Sequence, residues 1–300
     1  MFPAINYVKL IAGFFDWSEK MIDGGVLISQ DLSCMGQVSL SVVLPILGAC
    51  GLKPTVLPTA ILSTHTGSFG NNTYLDLSHE MAQITKHWQE LDIDFEALYL
   101  GYLGKNALDF WLQNKELVNQ KIVLIDPAMA DHGKMYRGLD QQYVEEMRQL
   151  IKKATILTPN MTEAAFLLGK KPEENSIQTA TSLAQELMVK FNIPNVIITG
   201  IDLTDDQIGE VGVTEEKEWS LTQGRLPGSF FGTGDIFASV FLVAFMHHYS
   251  LKESCSVAAD FVERAILNTP KQDPRLGPNY AAGLSWLLKK MGGIENNENR

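Results

Sequence analysis

Six short apolar runs punctuate the chain: VLISQ (26–30), TVLPTAIL (55–62), ALYLGY (97–102), KIVLID (121–126), ATILT (154–158) and NVIITG (195–200). They are strand-like in length, and most are followed by stretches with helical periodicity, at roughly 37–49, 78–90, 105–114, 140–153 and 176–191. Strands alternating with helices predict an α/β fold with a mainly parallel sheet covered on both faces. Residues 207–226, QIGEVGVTEEKEWSLTQGRL, alternate like a hairpin turning near Glu215 and Glu216, which predicts antiparallel strands at one sheet edge. The final third reads as helices at 233–248, 251–268 and 279–291. No repeat or linker divides this order, so residues 21–291 read as one domain. Residues 1–20 read as an N-terminal appendage and 292–300 as a polar tail. The opening segment lacks the basic region and small-residue cleavage site of a signal peptide.

Charge narrows the partners. The net charge is −11 and no cluster of lysine or arginine occurs, so neither nucleic acid nor an anionic membrane is an expected partner. Any phosphate bound here is expected to rest on main-chain amides and a metal. No apolar run reaches the length of a membrane span. Cys34, Cys50 and Cys255 lack metal-ligand spacing and suit a reducing cytoplasm, the expected location.

Polar punctuation collects where the strands end: DLSCMG, STHTGSFGNN, GYLGKN, DPAMADHGK, TPNMTE and TGID. Ligands of such sheets bind at the carboxyl ends of the strands, so this rim is the expected binding edge. The informative stretch is GSFFGTGDIFASV at 228–240. An uncharged run follows it, which predicts a buried helix with Asp235 in its first turn. The amides of Gly232 to Asp235 then lack carbonyl partners at the positive end of the helix dipole. Two readings fit: a capped helix start, or an anion site with a carboxylate beside it to take a proton. Two other phosphate cradles are absent, since no G-x-x-x-x-G-K-[ST] occurs and GTGDIF lacks the third glycine of a dinucleotide fingerprint.

GTGD at 232–235, TPNMTE at 158–163 and DPAMAD at 126–131, in that family's expected order, resemble the ribokinase-like superfamily and, within it, the vitamin B6 kinases. The resemblance runs from residue 24 to about 270 and implies a three-layer α/β/α sandwich. It implies Gly232, Thr233 and Gly234 as the anion hole for a transferring phosphoryl group and Asp235 as the base. Asn160 and Glu163 would support Mg²⁺, though the same pair fits a capping box. Asp126, near the expected triphosphate, and Asp131 would serve the metal with Glu163, and Asp126, Asn160, Thr199 and Thr233 would lie on the nucleotide side. HGKMYRG (132–138) resembles a shortened flap, in which His132 and Lys134 read as ordinary surface residues.

On the acceptor side, STHTGSFG resembles the family's ring-binding segment, with His65 and Thr66 matching and Ser68 in place of an aromatic residue. Tyr102 matches a tyrosine that packs on the ring. Asp31 stands where the family tends to have serine, and a carboxylate there would favour a cationic substrate. His79, His87, His247 and His248 read as structural. The resemblance therefore implies ATP and Mg²⁺, a monovalent cation (K⁺) as a further candidate, a B6 vitamer as substrate, and a homodimer. Hydroxymethylpyrimidine kinases are the nearest alternative, although SQDLSCMGQVSL keeps only parts of their glycine-rich opening. An inactive binding relative is the second alternative.

Overall fold

The computed structural model describes residues 22–172 and 174–292. The expected appendage at 1–20 and nearly all of the expected tail lie outside the described residues. The strands are β1 (Ile22–Asp23), β2 (Val26–Ser29), β3 (Leu32–Ser33), β4 (Pro54–Val56), β5 (Ala60–Leu62), β6 (Tyr74–Asp76), β7 (Ile93–Asp94) and β8 (Ala97–Leu100). They continue with β9 (Ile122–Ile125), β10 (Ala130–Asp131), β11 (Lys134–Met135), β12 (Ile156–Leu157), β13 (Asn195–Thr204), β14 (Gln207–Thr214) and β15 (Glu218–Gly224). The helices are α1 (Leu40–Ala49), α2 (Ser78–Glu90), α3 (Lys105–Gln113), α4 (Gln141–Leu150), α5 (Met161–Leu168), α6 (Ile177–Phe191), α7 (Thr233–Met246), α8 (Leu251–Leu267) and α9 (Leu284–Lys290).

Eight strands form the central sheet in the order β15-β14-β13-β12-β9-β8-β2-β4. The six from β13 to β4 are parallel, while β13–β14 and β14–β15 pair antiparallel. Alternation within one strand explains the layers. In β2, Leu27 enters one buried cluster, with residues of α2 to α6, whereas Val26 and Ile28 enter the other, with α1, α7, α8 and α9. Both faces are covered, which is why the strand is apolar at consecutive positions. This is the expected three-layer α/β/α sandwich with an antiparallel edge.

Three local expectations need correction. The run 55–62 is two strands in different sheets, not one. Pro58 lacks the N–H a continuing ladder needs, and the chain turns there from β4 in the central sheet to β5. Strand β5 joins β3 and β6 in a separate three-stranded sheet over the rim, so STHTGSFGNN leaves from that sheet. The sixth strand runs past residue 200 to Thr204, with an irregular register between Ile198 and Ile201. The expected helix at 279–291 is a 3-10 turn at Tyr280–Gly283 followed by α9.

Candidate active site

Helix α7 carries the glycine turn. Ile236 to Ala244 are all buried, so the helix is gripped on every side and only its first turn reaches the rim. Gly232 is the N-cap with φ of +83°, and a Cβ on it would lie 2.2 Å from the Gln37 carbonyl oxygen. Only glycine fits that conformation and that approach. Among the described residues, the N–H groups of Thr233, Gly234 and Asp235 have no protein acceptor. They are the free donors that a helix start offers an anion.

Asp235 is half-buried beside them. Its Oδ2 accepts a 2.9 Å hydrogen bond from the main-chain N–H of Ser39. Ser39, the residue before α1, has φ of +48°, an uncommon value for serine. Burial pushes the Asp235 carboxyl up to about 7; the Ser39 N–H opposes the shift and the charge of Asp31 adds to it. A base near neutrality is well matched to taking a hydroxyl proton.

Asp126 follows β9 on the same rim, and Gly234 is close enough that an added Cβ would stand 3.9 Å from Asp126 Oδ2. Burial raises the Asp126 carboxyl well above the ordinary range, and the charges of Glu163 and Asp235 push it the same way. No protein group among the described residues donates a hydrogen bond to this carboxylate, which leaves it suited to a cation.

Glu163 is spent differently. Its Oε2 accepts from Asn160 N–H at 2.9 Å, and Asn160 Oδ1 accepts from Glu163 N–H at 2.9 Å, a complete capping box at the start of α5. Oε1 accepts from Met129 N–H at 3.0 Å and Ala130 N–H at 3.4 Å, and Asn160 Nδ2 donates to the Ala130 carbonyl at 2.8 Å. The capping reading is therefore present, and the same pair ties the Asp126–Asp131 loop to α5. Thr199 lies next to Asn160 through an isolated parallel bridge. Asp131 is more open and caps the flap turn by accepting from His132 N–H. The flap is the hairpin of β10 and β11. His132 and Lys134 are exposed on it, while the phenol of Tyr136 feels the charges of Glu163, Asp131, Asp126 and Asp235 together. Tyr136 carries no signal in the sequence beyond its place in HGKMYRG.

The acceptor-side residues separate. Thr66 and Tyr102 line one cavity of about 360 Å³, together with Asn72, Tyr74 and Arg137. Arg137 reaches from the flap to Gly70, Asn71 and Asn72, closing one side of that cavity. His65 is not free to hold a ligand by its nitrogens: Nε2 bonds the Arg275 carbonyl at 2.7 Å and Nδ1 accepts from Gly67 N–H at 3.1 Å. The carbonyl partner fixes the Nε2–H tautomer, and burial holds the ring pKa below its ordinary value. The His65 ring instead packs on Phe231, centroids 4.6 Å apart, next to the glycine turn. Asp31 is buried and accepts from Ser33 Oγ at 2.9 Å. Burial raises its carboxyl, with the Ser39 and Ser33 side chains pulling the other way. Its charge acts on Asp235 and on the cavity phenols Tyr74 and Tyr102, so it stands near both.

Among the described residues, no three His, Cys, Asp or Glu side chains converge as a metal cage. One carboxylate, Asp126, beside free helix amides suits an ion that keeps its waters and is shared with phosphate oxygens, the habit of Mg²⁺. No helix among the described residues is long and apolar enough to cross a membrane.

The three-layer sandwich is that of the ribokinase-like kinases. The profile of the phosphomethylpyrimidine kinase family matches residues 46–279, and the chain belongs to that family. It is similar to a Bacteroides thetaiotaomicron protein provisionally named phosphomethylpyrimidine kinase and crystallised with pyridoxal: 32% identity, TM-score 0.82, covering 92% of this chain and 98% of that one. It is also similar to the pyridoxal kinase of Lactobacillus plantarum, at 31% identity and TM-score 0.80 over 88% of this chain and 96% of the other. The pyridoxine/pyridoxal/pyridoxamine kinase of Bordetella avium is 26% identical over 286 residues, 87% of this chain and 93% of that protein.

Proposed function

We propose that this kinase transfers the γ-phosphoryl group of ATP to the 5′-hydroxymethyl group of a B6 vitamer. The observation that carries the reading is Asp235 in the first turn of α7, held at Oδ2 by the Ser39 N–H and beside amides with no protein acceptor among the described residues. In this reading Asp235 takes the hydroxyl proton as the oxygen attacks phosphorus, and the amides of Gly232, Thr233 and Gly234 hold the charge that develops on the moving phosphoryl group. Asp126 would hold Mg²⁺, with Asp131 in the same loop as a further candidate; Glu163 fixes that loop to α5. The ion, when bound, neutralises phosphate charge. Thr199, Asn160 and Thr233 border the nucleotide, while Asp31, Thr66, Tyr102 and the His65 loop face the acceptor.

The substrate assignment rests on likeness to proteins named for B6 vitamers across most of the chain. A hydroxymethylpyrimidine/phosphomethylpyrimidine kinase of Aquifex aeolicus, 26% identical over 63% of this chain, favours the second reading, a pyrimidine acceptor. Incubation with ATP, Mg²⁺ and each of pyridoxal, pyridoxine, pyridoxamine and hydroxymethylpyrimidine separates them. The expected product is a vitamer 5′-phosphate, and turnover of hydroxymethylpyrimidine alone would transfer the assignment. Omitting K⁺ from the same assay tests the monovalent cation, and light scattering tests the expected homodimer. Fractionation of cells tests the expected cytoplasmic location.

A further inference from the structure

The segment between α8 and α9 touches three loops of the site at once. Asp273 accepts from the Arg275 main-chain N–H at 3.0 Å, and its carboxylate grips the Arg275 guanidinium at Nε, 2.9 and 3.0 Å, and at Nη2. The fork leaves Nη1 to donate to the Ser68 carbonyl at 3.1 Å, and the guanidinium lies 4.6 Å from the Phe69 ring centre. Two consecutive carbonyls then point into the site's walls. That of Arg275 accepts from His65 Nε2 at 2.7 Å, and that of Leu276 accepts from Gln37 N–H at 2.8 Å. Gly277, with φ of +79°, closes the turn so tightly that a Cβ would lie 2.8 Å from the Gln37 oxygen and 3.0 Å from the Phe231 oxygen.

These contacts share one direction. Residues 65–69 carry Thr66, which lines the acceptor-side cavity, Gln37 lies two residues before the N–H that holds Asp235, and Phe231 precedes the glycine turn. None of the contacts of Arg275 reaches Asp126, Asn160 or Thr199.

We propose that the Asp273–Arg275 pair is a positioning element for the acceptor, clasping the His65–Phe69 loop against the turn that carries Asp235. The proposal rests on the kinase reading but not on which ring is phosphorylated. An arginine suits the task because its planar fork can grip one carboxylate, reach a carbonyl and stack on an aromatic ring together, which lysine cannot.

The test is Arg275→Ala, read in steady-state kinetics and by NMR of the histidine rings in the intact protein. Loosening the wall should lower kcat/KM for the acceptor by about tenfold or more. KM for ATP should stay within about twofold, because uniform nucleotide binding is untouched. The His65 ring, assigned with His65→Asn, should titrate at higher pH in the variant, since water reaches it once the loop lifts. Acceptor kinetics within about twofold of wild type, or equal losses for acceptor and ATP, would overturn the proposal. If wild type phosphorylates a pyrimidine, the ratio is read with that acceptor. If it phosphorylates neither, the His65 titration decides, and an unmoved titration overturns the clasp. Should the alanine variant fail to fold, Arg275→Lys carries the test, and wild-type acceptor kinetics in it would sink the idea.

Discussion

Ser39 gives its main-chain N–H to Oδ2 of Asp235 at 2.9 Å, across 196 residues of sequence. The bond fixes one carboxylate oxygen toward the α1 turn and leaves the other without a protein donor among the described residues. Asp235→Asn keeps the size of the side chain and its ability to cap, but it cannot accept a proton. General-base catalysis contributes about 10²–10⁴-fold, so kcat should fall by that order while nucleotide affinity changes far less. Near-normal turnover of the Asn variant would remove Asp235 from the chemistry.

The pH profile follows from the same group. Asp235 must be deprotonated to work and its pKa is raised to about 7, so kcat/KM should climb with pH through an apparent value near neutrality. Asp126 and Asp31 interact with it, so the limb belongs to the set rather than to one residue. A profile flat from pH 5 to pH 8 would contradict this assignment (limits chosen about two units below and one above the raised value).

Two glycines of one tetrapeptide should behave differently. Gly232→Ala places a side chain at φ of +83° and 2.2 Å from the Gln37 oxygen. The backbone conformation alone costs about 1–3 kcal/mol, so thermal stability and activity should both drop. Gly234→Ala meets only Asp126 Oδ2 at 3.9 Å, an ordinary contact, and should fold like wild type. Equal melting temperatures for all three proteins would refute the distinction.

Asp31 sits near both the base and the cavity phenols. Asp31→Ser should change the relative kcat/KM of pyridoxal, pyridoxine and pyridoxamine while KM for ATP holds. Because the Asp31 charge raises the Asp235 carboxyl, its removal should also move the acidic limb to lower pH. An equal loss on every vitamer with an unmoved limb would make Asp31 a purely architectural group.

Glu210 offers a stability test away from the site. It is a buried residue of β14 beside Cys255, its Oε2 has no partner among the described residues, and burial raises it to about 7. The folded protein therefore holds this proton more tightly than the unfolded chain. Stability is greatest below the ordinary pKa of 4.5 and declines as pH rises toward 7. Glu210→Met should remove that decline and stabilise the protein at pH 8 by about 3 kcal/mol relative to its effect at pH 4. A pH-independent difference in denaturant unfolding would show that Glu210 is not the source.

What was legible in the sequence was local. The uncharged run after Asp235 points to a helix buried on most of its faces, and the glycines before it point to a helix start that is either a cap or an anion site. Runs such as KIVLID and NVIITG announced strands, because a strand covered on both faces must be apolar at consecutive positions. Pro58 carried enough information to split the run at 55–62, but apolar continuity across it concealed the break. The N–H of Ser39 and the carbonyl of Arg275 were beyond reading: each meets its partner about 200 residues away, and main-chain groups have no residue-type signature. His65 showed the same limit, since a loop histidine facing a ligand and one bonded across to Arg275 look identical in sequence.

The clasp also has a meaning for how the protein is made. All eight strands of the central sheet precede residue 225, and the glycine turn follows them. The carbonyls that secure Gln37 and His65 come later still, at residues 275 and 276. Synthesis runs from the amino end and closing a loop this long is a late, entropically costly event. A nascent chain can therefore lay down its sheet and much of its core while the pieces of the site remain apart. The contacts that bring the acceptor wall to the base can form only once residues 275 and 276 have been made, after every strand of the central sheet.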